Sequence, residues 1–293
     1  MSVSDYFDTF CGNLRMSTDT VDNIQKRYHQ IVKRINLDYY NSTSDSNHGM
    51  YVGSYGRGTE IWTSDIDMIV QLPYSTYSKY NDYKGNGQSV LLQEVRSVLQ
   101  KTYSSSHIKA DGQVIGIDFT DGISFEIVPA FVNKDGSSFT YPDTNDGGSW
   151  KITDPRAEIR AINDRNANTN KNLKRLCRMT RAWKANCCVP LNGIIIDTLA
   201  YKFIENYEYK DRSYLYYDYM TRDFFKYLME IDPEQSYWLA PGSNRYVWRK
   251  GNFQNKAKQA YNKSLEAFKY ESEKHHYSAK SSWREIFGSK FPD

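Results

Sequence analysis

Apolar side chains in the first third of the chain recur with two different periods. Between Val21 and Ile35 they lie three and four positions apart, which predicts a helix with one buried face, and Ser17–Asp19 before it supplies capping side chains. The run "DMIVQLP", which Pro73 ends, is typical of a buried strand. The helical spacing returns over 89–103, so we expect a second amphipathic helix there.

The stretch "VIGIDFTDGISFEIVPAFV" predicts a hairpin of two β-rich arms. Asp121-Gly122 suits a two-residue type I′ turn between them. Such a turn would set Ile117 opposite Glu126, whereas a looser turn would bring Asp118 towards Glu126 instead.

Beyond the hairpin the pattern becomes helical. The polar segment Pro142–Trp150 is predicted to be a loop and the domain boundary. Helices are expected at about 155–168, 170–187, 193–207, 216–230 and 253–275. Strands in the first half and helices in the second predict an α+β protein, with a catalytic domain at 1–150 and a helical domain at 151–293 that closes the active-site cleft.

The composition limits the partners and the compartment. A net charge of +3 over 293 residues does not give the basic surface that a long-duplex binder needs. The four cysteines show no CxxC spacing, and neither a secretory signal nor an uncharged apolar run of roughly 18 residues is present. We therefore expect reduced thiols, a cytoplasmic location and no membrane segment.

The stretch "GSYGRGTEIWTSDIDMIV", from Gly53 to Val70, combines a glycine–serine turn with two acids one residue apart. Residues i and i+2 of a strand point to the same face, so Asp65 and Asp67 project together. Adjacent like charges repel, so the two carboxylates are stable together mainly with a cation between them. Carboxylate oxygens without His or Cys ligands select Mg²⁺ or Mn²⁺. Backbone N–H groups of Gly53 and Ser54 suit a phosphate. The combination predicts metal-dependent phosphoryl or nucleotidyl transfer.

This stretch resembles the signature of the DNA polymerase β-like nucleotidyltransferases, in which a Gly-Ser turn precedes an acid-x-acid strand. The family has a third acid on a neighbouring strand, and "ISFEIVPAF" supplies Glu126 there, where most relatives carry Asp. The resemblance implies a catalytic lobe with a mixed sheet, two metal ions held by Asp65, Asp67 and Glu126, and a triphosphate bound by Gly53 and Ser54. Asp118 stays the alternative third ligand.

Three strings in the second half, "WKITDPRAEIRAINDRN", "LKRLCRMTRAWK" and "SSWREIFGSKFP", look like the bacterial branch of the cGAS/DncV-like nucleotidyltransferases. In that branch a basic residue two positions before the helix tryptophan contacts the triphosphate, which implies this role for Arg181, where Lys is commoner. Lys184 lies close to the same helix face. The zinc-ribbon cysteines of the animal DNA sensor are missing, so we expect no activation by nucleic acid.

These resemblances imply the synthesis of a cyclic di- or trinucleotide from nucleoside triphosphates. They also imply anti-phage (CBASS-type) signalling through an effector protein that senses the product. Two alternatives stay open: a nucleotidyltransferase acting on RNA, a protein or a small molecule, and a catalytically inactive nucleotide-binding sensor.

Overall fold

The computed structural model describes residues 3–62 and 65–293. The chain forms two compact units. The sheet unit comprises Met16–Arg57 and Thr63–Ile159, and the helical unit comprises Met1–Arg15, Gly58–Trp62 and Arg160–Asp293. The helical unit therefore includes an N-terminal segment, which the predicted division into 1–150 and 151–293 assigned to the catalytic domain.

The sheet unit is built on a mixed sheet. Its strands are β1 (Gly49–Tyr51), β2 (Asp65–Gln71), β3 (His107–Asp111), β4 (Val114–Asp118), β5 (Ser124–Val132), β6 (Phe139–Asp143) and β7 (Ser149–Thr153). Their order is β1-β2-β5-β4-β3, with β6 on β5 and β7 on β6. Strand β2 runs parallel to β5, and the other pairs are antiparallel. The predicted α+β class is confirmed.

One face of β2 packs into the core of the sheet unit. Ile66, Met68 and Val70 are buried in the core of the sheet unit. Buried apolar side chains of α2 (Thr18–Tyr40) and α5 (Gly87–Gln100) belong to the same core. The predicted cap of α2 is confirmed, because the Ser17 side chain accepts a hydrogen bond from the Thr20 N–H.

The remaining helices are α1 (Val3–Asn13), α3 (Gly53–Arg57), α4 (Tyr74–Asn81), α6 (Pro155–Ala167), α7 (Asn172–Asn186), α8 (Gly193–Glu205), α9 (Tyr217–Met229), α10 (Gln254–Ser272) and α11 (His276–Phe287). A short hairpin, β8 (Tyr237–Leu239) with β9 (Tyr246–Trp248), belongs to the helical unit. The five helices predicted in the second half are confirmed to within a few residues. Helices α1 and α11 were not predicted.

The segment predicted to be a loop, Pro142–Trp150, contains strand residues. Strands β6 and β7 pair across a 3-10 turn at Asn145–Gly147, with Pro142 opposite Trp150. The expectation of a loop was wrong, because the Gly and Asp residues that suggested it lie at the turn of this hairpin.

Among the residues that the structure describes, no helix is both long and apolar enough to cross a bilayer. The four cysteines form no disulfide.

Candidate active site

The parallel register of β2 and β5 brings the predicted acids together. Asp67 lies opposite Glu126, and Asp65 lies opposite Ser124. Ile66 and Phe125, which lie between these positions on the two strands, are fully buried. Because successive side chains of a strand point to opposite faces, the three carboxylates share the face away from these core side chains.

Hydrogen bonds link these side chains across the two strands. Ser124 Oγ donates to Asp65 Oδ1 over 2.9 Å. The side chains of Asp67 and Glu126 hydrogen-bond to each other. This bond lowers the pKa of Asp67 and raises the pKa of Glu126, as expected when Glu126 is the donor and Asp67 the acceptor.

Burial and neighbouring negative charges raise the pKa of both Asp67 and Glu126. For Asp67, burial is the largest cause, the Arg57 guanidinium opposes it, and the Asp65 carboxylate adds to it. For Glu126, burial is followed by the charges of Asp67 and Asp65. The raised pKa values of Asp67 and Glu126 fit a site for divalent cations, since a cation removes the repulsion between neighbouring carboxylates.

The three acids offer oxygen donors of the kind that Mg²⁺ or Mn²⁺ binds, but their side chains do not form a complete ligand set. Within 3–62 and 65–293, no three carboxylate, imidazole or thiolate groups are arranged to hold a metal ion. Instead, Asp65 accepts from Ser124 while Asp67 and Glu126 bond to each other. The oxygen-only chemistry fits a hard cation.

The β4–β5 turn differs from the predicted two-residue turn. Phe119 N–H donates to Ile123 O and Gly122 N–H to Phe119 O, which closes a three-residue loop that ends on Gly122 at φ +83°. This is the three-residue hairpin loop with a left-handed last residue. The extra residue sets Gly116, and not Ile117, opposite Glu126.

The same register defines the position of Asp118. It lies opposite Ser124, and its Oδ2 is 3.1 Å from His107 Nδ1. Glu126, in contrast, lies directly opposite Asp67. The assignment of the third ligand to Glu126 stays a prediction, and this geometry favours it over Asp118.

The Gly-Ser turn packs directly against Asp67. Gly53 starts the one-turn helix α3 at φ +59°, and a Cβ built on it would lie 1.7 Å from Asp67 Oδ2. The Val52 N–H also donates to the Asp67 carbonyl over 2.9 Å. Glycine is therefore required at position 53, since any side chain there would displace the Asp67 carboxylate.

Arg57, at the end of α3, was not assigned a role from the sequence. It is buried, and its Nη1 lies 3.3 Å from the equally buried Glu158 Oε2. Its charge is the one that lowers the pKa of Asp67. Its place inside the "GSYGRG" string was the available signal, but no sequence pattern linked it to Glu158.

On α7 the structure holds Arg181 in a buried ion pair. Its Nη1 is 2.6 Å from Asp197 Oδ1 and its Nη2 is 3.0 Å from Asp197 Oδ2. The hydroxyl of Thr59 donates to the same carboxylate over 2.9 Å. Lys184, the other predicted triphosphate contact, is half-buried near the end of α7.

Lys174, on the same helix, lies beside the last glycine of the "GSYGRG" string. A Cβ built on Gly58 would lie 2.8 Å from Lys174 Nζ. That ammonium donates to Asn163 Oδ1 over 2.7 Å. Burial, followed by the charge of Arg178, lowers the pKa of Lys174.

Residues 1–166 match the family model of the Second Messenger Oligonucleotide or Dinucleotide Synthetase (SMODS) domain. The chain belongs to this family. A relative from Bacillus cereus (strain VD146), named "Probable cyclic nucleotide synthase", is 24% identical over 277 residues, which are 82% of this chain and 81% of that protein. Membership and this relative support nucleotidyltransferase activity.

Solved structures share the fold of this SMODS protein. Escherichia coli MS115-1 CdnC, in a structure with ATP, superposes with a TM-score of 0.72 at 15% identity over 99% of this chain and 98% of CdnC. Bradyrhizobium diazoefficiens CdnG in complex with GTP gives a TM-score of 0.65 at 8% identity, over 99% and 96% of the two chains. Vibrio cholerae DncV without ligand gives 0.64 at 14% identity, over 99% and 87%.

Proposed function

We propose that the protein joins nucleoside triphosphates into a cyclic di- or trinucleotide and releases pyrophosphate, with Mg²⁺ or Mn²⁺ as cofactor. The observation that carries the proposal is the register of β2 with β5, which sets Asp65, Asp67 and Glu126 on one face. Membership of the SMODS family supports a nucleotide second messenger as the product. The CdnC structure with ATP and the CdnG structure with GTP support nucleoside triphosphates as substrates.

In this proposal the three acids hold two metal ions, which would supply the charge that activates a ribose hydroxyl and stabilises the leaving pyrophosphate. Gly53 and Ser54 bind the terminal phosphates, because backbone N–H groups at a glycine turn can approach an anion closely. The contact of Gly53 with Asp67 keeps this turn at a fixed distance from the carboxylate.

Lys184 is proposed to add positive charge at the triphosphate. The family resemblance assigns the same role to Arg181, but the guanidinium of Arg181 is held by Asp197. We propose that the product acts on an effector protein in anti-phage defence, and that synthesis needs no nucleic acid. The net charge of +3 supports the last point.

Product analysis tests the proposal. Purified protein is incubated with Mg²⁺ and all four nucleoside triphosphates, with and without duplex DNA, then treated with phosphatase and analysed by mass spectrometry. We expect a phosphatase-resistant cyclic product in both samples. Only linear products would contradict cyclisation, and a product confined to the duplex sample would contradict independence from nucleic acid. Label found on added RNA or protein would favour the alternative transferases.

Variants of the acids test the assignment of the ligands. Asp67→Asn and Glu126→Gln should reduce pyrophosphate release at least about a hundredfold, because even outer-shell partners of metal ligands cost up to that much. The matched control is Asp118→Asn, which removes a carboxylate of the same hairpin and should retain activity. The reverse result for Glu126 and Asp118 would show that the third ligand had been misassigned.

A further inference from the structure

The helical unit contains a cavity of about 220 Å³ that the proposed reaction does not use. Helices α1 and α7 and the 3-10 turn Tyr214–Tyr216 form its walls. Side chains that carry its chemistry are Asp8, Cys11, Arg15, Arg175, Arg178 and Tyr214. Three of these six are arginines, so the cavity is predominantly basic.

Arg175 and Arg178 are held in place by protein contacts that use only some of their guanidinium nitrogens. Arg175 Nη1 donates to the Tyr217 hydroxyl over 2.8 Å, and the guanidinium lies 4.9 Å from the centre of the Tyr214 ring. Arg178 donates through Nε and Nη2 to the carbonyls of Glu60 and Gly58, over 3.0 and 2.7 Å. Among the described residues, Nη2 of Arg175 and Nη1 of Arg178 make no hydrogen bond. The protein therefore holds these two guanidinium groups in place and leaves one nitrogen of each to donate to a ligand.

Arg15 adds a third guanidinium at the mouth of the cavity. Its side chain is exposed and has no hydrogen-bond or ion-pair partner in the described part of the chain. Two carboxylates face the three cations: Asp8, which bonds to the Tyr214 hydroxyl, and Glu60, which lies 3.3 Å from Arg178. Burial raises the pKa of Cys11 to about 12, so its thiol carries no charge. The three guanidinium groups and two carboxylates together leave a net charge of +1 at the cavity.

We propose that this cavity binds a small phosphate oxyanion, such as inorganic phosphate or pyrophosphate. Guanidinium forks match the oxygens of a phosphate in geometry and charge, and charge-assisted bonds of this kind are the strong ones. The volume of about 220 Å³ is below the ~300 Å³ at which sites for drug-sized ligands begin, so the ligand is of phosphate size and not a whole nucleotide. Binding of an anion in this cavity does not depend on the proposed function. Only the supply of pyrophosphate as the bound anion rests on that function.

Calorimetric titration of the full chain tests this site. Sodium phosphate and sodium pyrophosphate are titrated separately, in EDTA and at constant ionic strength set with sodium chloride. EDTA removes divalent cations, so the active-site carboxylates repel these anions. We expect saturable binding at one site per chain. The anion that binds more tightly identifies whether the cavity takes inorganic phosphate or pyrophosphate.

Four variants locate the bound anion. Arg15→Gln and Arg175→Gln should each weaken binding roughly tenfold, the change expected for one lost charge-assisted hydrogen bond. Asp8→Asn should tighten binding, because it removes the negative charge in the cavity and keeps an acceptor for Tyr214. Arg245→Gln, an exposed arginine elsewhere in the helical unit, is the matched control and should bind like wild type.

Two results would overturn the proposal. One is the absence of saturable binding of either anion to the wild type. The other is binding that survives Arg15→Gln and Arg175→Gln but is lost in Ser54→Ala, which would place the anion at the Gly-Ser turn. Arg15→Gln removes no hydrogen bond or ion pair of the residues that the structure describes, so it keeps the test valid even if Arg175→Gln fails to fold.

Discussion

At the scale of single residues, the closest contact in the candidate site is between a backbone and a carboxylate. Gly53 has φ +59°, and a Cβ there would lie 1.7 Å from Asp67 Oδ2. We expect Gly53→Ala to abolish pyrophosphate release and to lower the free energy of unfolding by about 1–3 kcal/mol, the cost of a non-glycine residue in this backbone region.

Gly122→Ala is the matched control for this substitution. Gly122 has φ +83° but nothing within 4 Å of the added Cβ, so the variant carries the backbone strain without the contact. It should lose a similar amount of stability in thermal unfolding and retain activity. Equal loss of activity in both variants would mean that strain, and not the contact with Asp67, sets the requirement for glycine.

The two basic residues predicted on α7 are expected to respond differently to substitution. Asp197→Asn leaves the Arg181 guanidinium buried without its charged partner, so the free energy of unfolding should fall by about 3–5 kcal/mol. Lys184→Gln should change it by less than about 0.5 kcal/mol and should raise KM for the nucleotide. Urea unfolding and steady-state kinetics measure the two effects. An Asp197→Asn variant as stable as wild type would contradict a structural role for the Arg181 pair.

At the scale of elements, helix α9 buries an acid on its inner face. Burial raises the pKa of Asp218 to about 6, against the opposing hydrogen bond from the Tyr219 N–H. A carboxyl whose pKa is raised in the folded state binds its proton more tightly there, so its stabilising contribution is present at pH 4 and is lost as the pH rises through 6.

Asp218→Asn should therefore be more stable than wild type at pH 8, by up to about 3 kcal/mol, and the difference should vanish towards pH 4. Thermal unfolding across this pH range measures it. Asp211→Asn is the control, because the Asp211 side chain is 70% exposed and the variant should follow wild type at every pH. An Asp218→Asn variant that is less stable at pH 8 would mean that the carboxylate is stabilised by its surroundings.

Individual helices and strands could be predicted where the local sequence pattern alone determines them. The pairing between these elements could not be predicted. The apolar run after Asp65 predicted β2, the β-rich arms around Asp121-Gly122 predicted β4 and β5, and the three-and-four spacing predicted α2 and α5. The β4–β5 register depended on one extra residue in the loop, which the Asp-Gly pair did not reveal. The pairing of Arg181 with Asp197 depends on how α7 packs on α8, which no local pattern encodes. Asp65 and Asp67 could be placed on one face because strand geometry fixes that relation, whereas Glu126 was assigned from the family resemblance.

At the scale of the whole molecule, the first and last helices share one aromatic cluster. The Phe7 ring lies 5.2 Å from Trp283 and 5.3 Å from Phe291, and the Phe10 ring lies 4.6 Å from Phe287. These contacts explain why the helical unit includes the segment before residue 16. Neither α1 nor α11 was predicted, although the buried residues of both helices follow the three-and-four spacing.

Phe7→Ala should lower the free energy of unfolding by about 3–5 kcal/mol, since Phe7 is fully buried and its removal leaves a cavity. Tyr277→Ala is the control, because Tyr277 is 83% exposed and its loss should cost less than about 0.5 kcal/mol. Calorimetric unfolding of both variants measures the difference. A Phe7→Ala variant within 1 kcal/mol of wild type would exclude α1 from the stabilising core.

The shared aromatic cluster also affects how the protein is made. On the ribosome, all of the sheet unit up to Ile159 has been synthesised while α11 has not, so this unit can fold first. Phe7 and Phe10, synthesised early, have no Trp283, Phe287 or Phe291 to pack against until translation of α11 and the residues that follow it. Phe7 and Phe10 therefore lack these aromatic partners for most of the time that the chain is being synthesised.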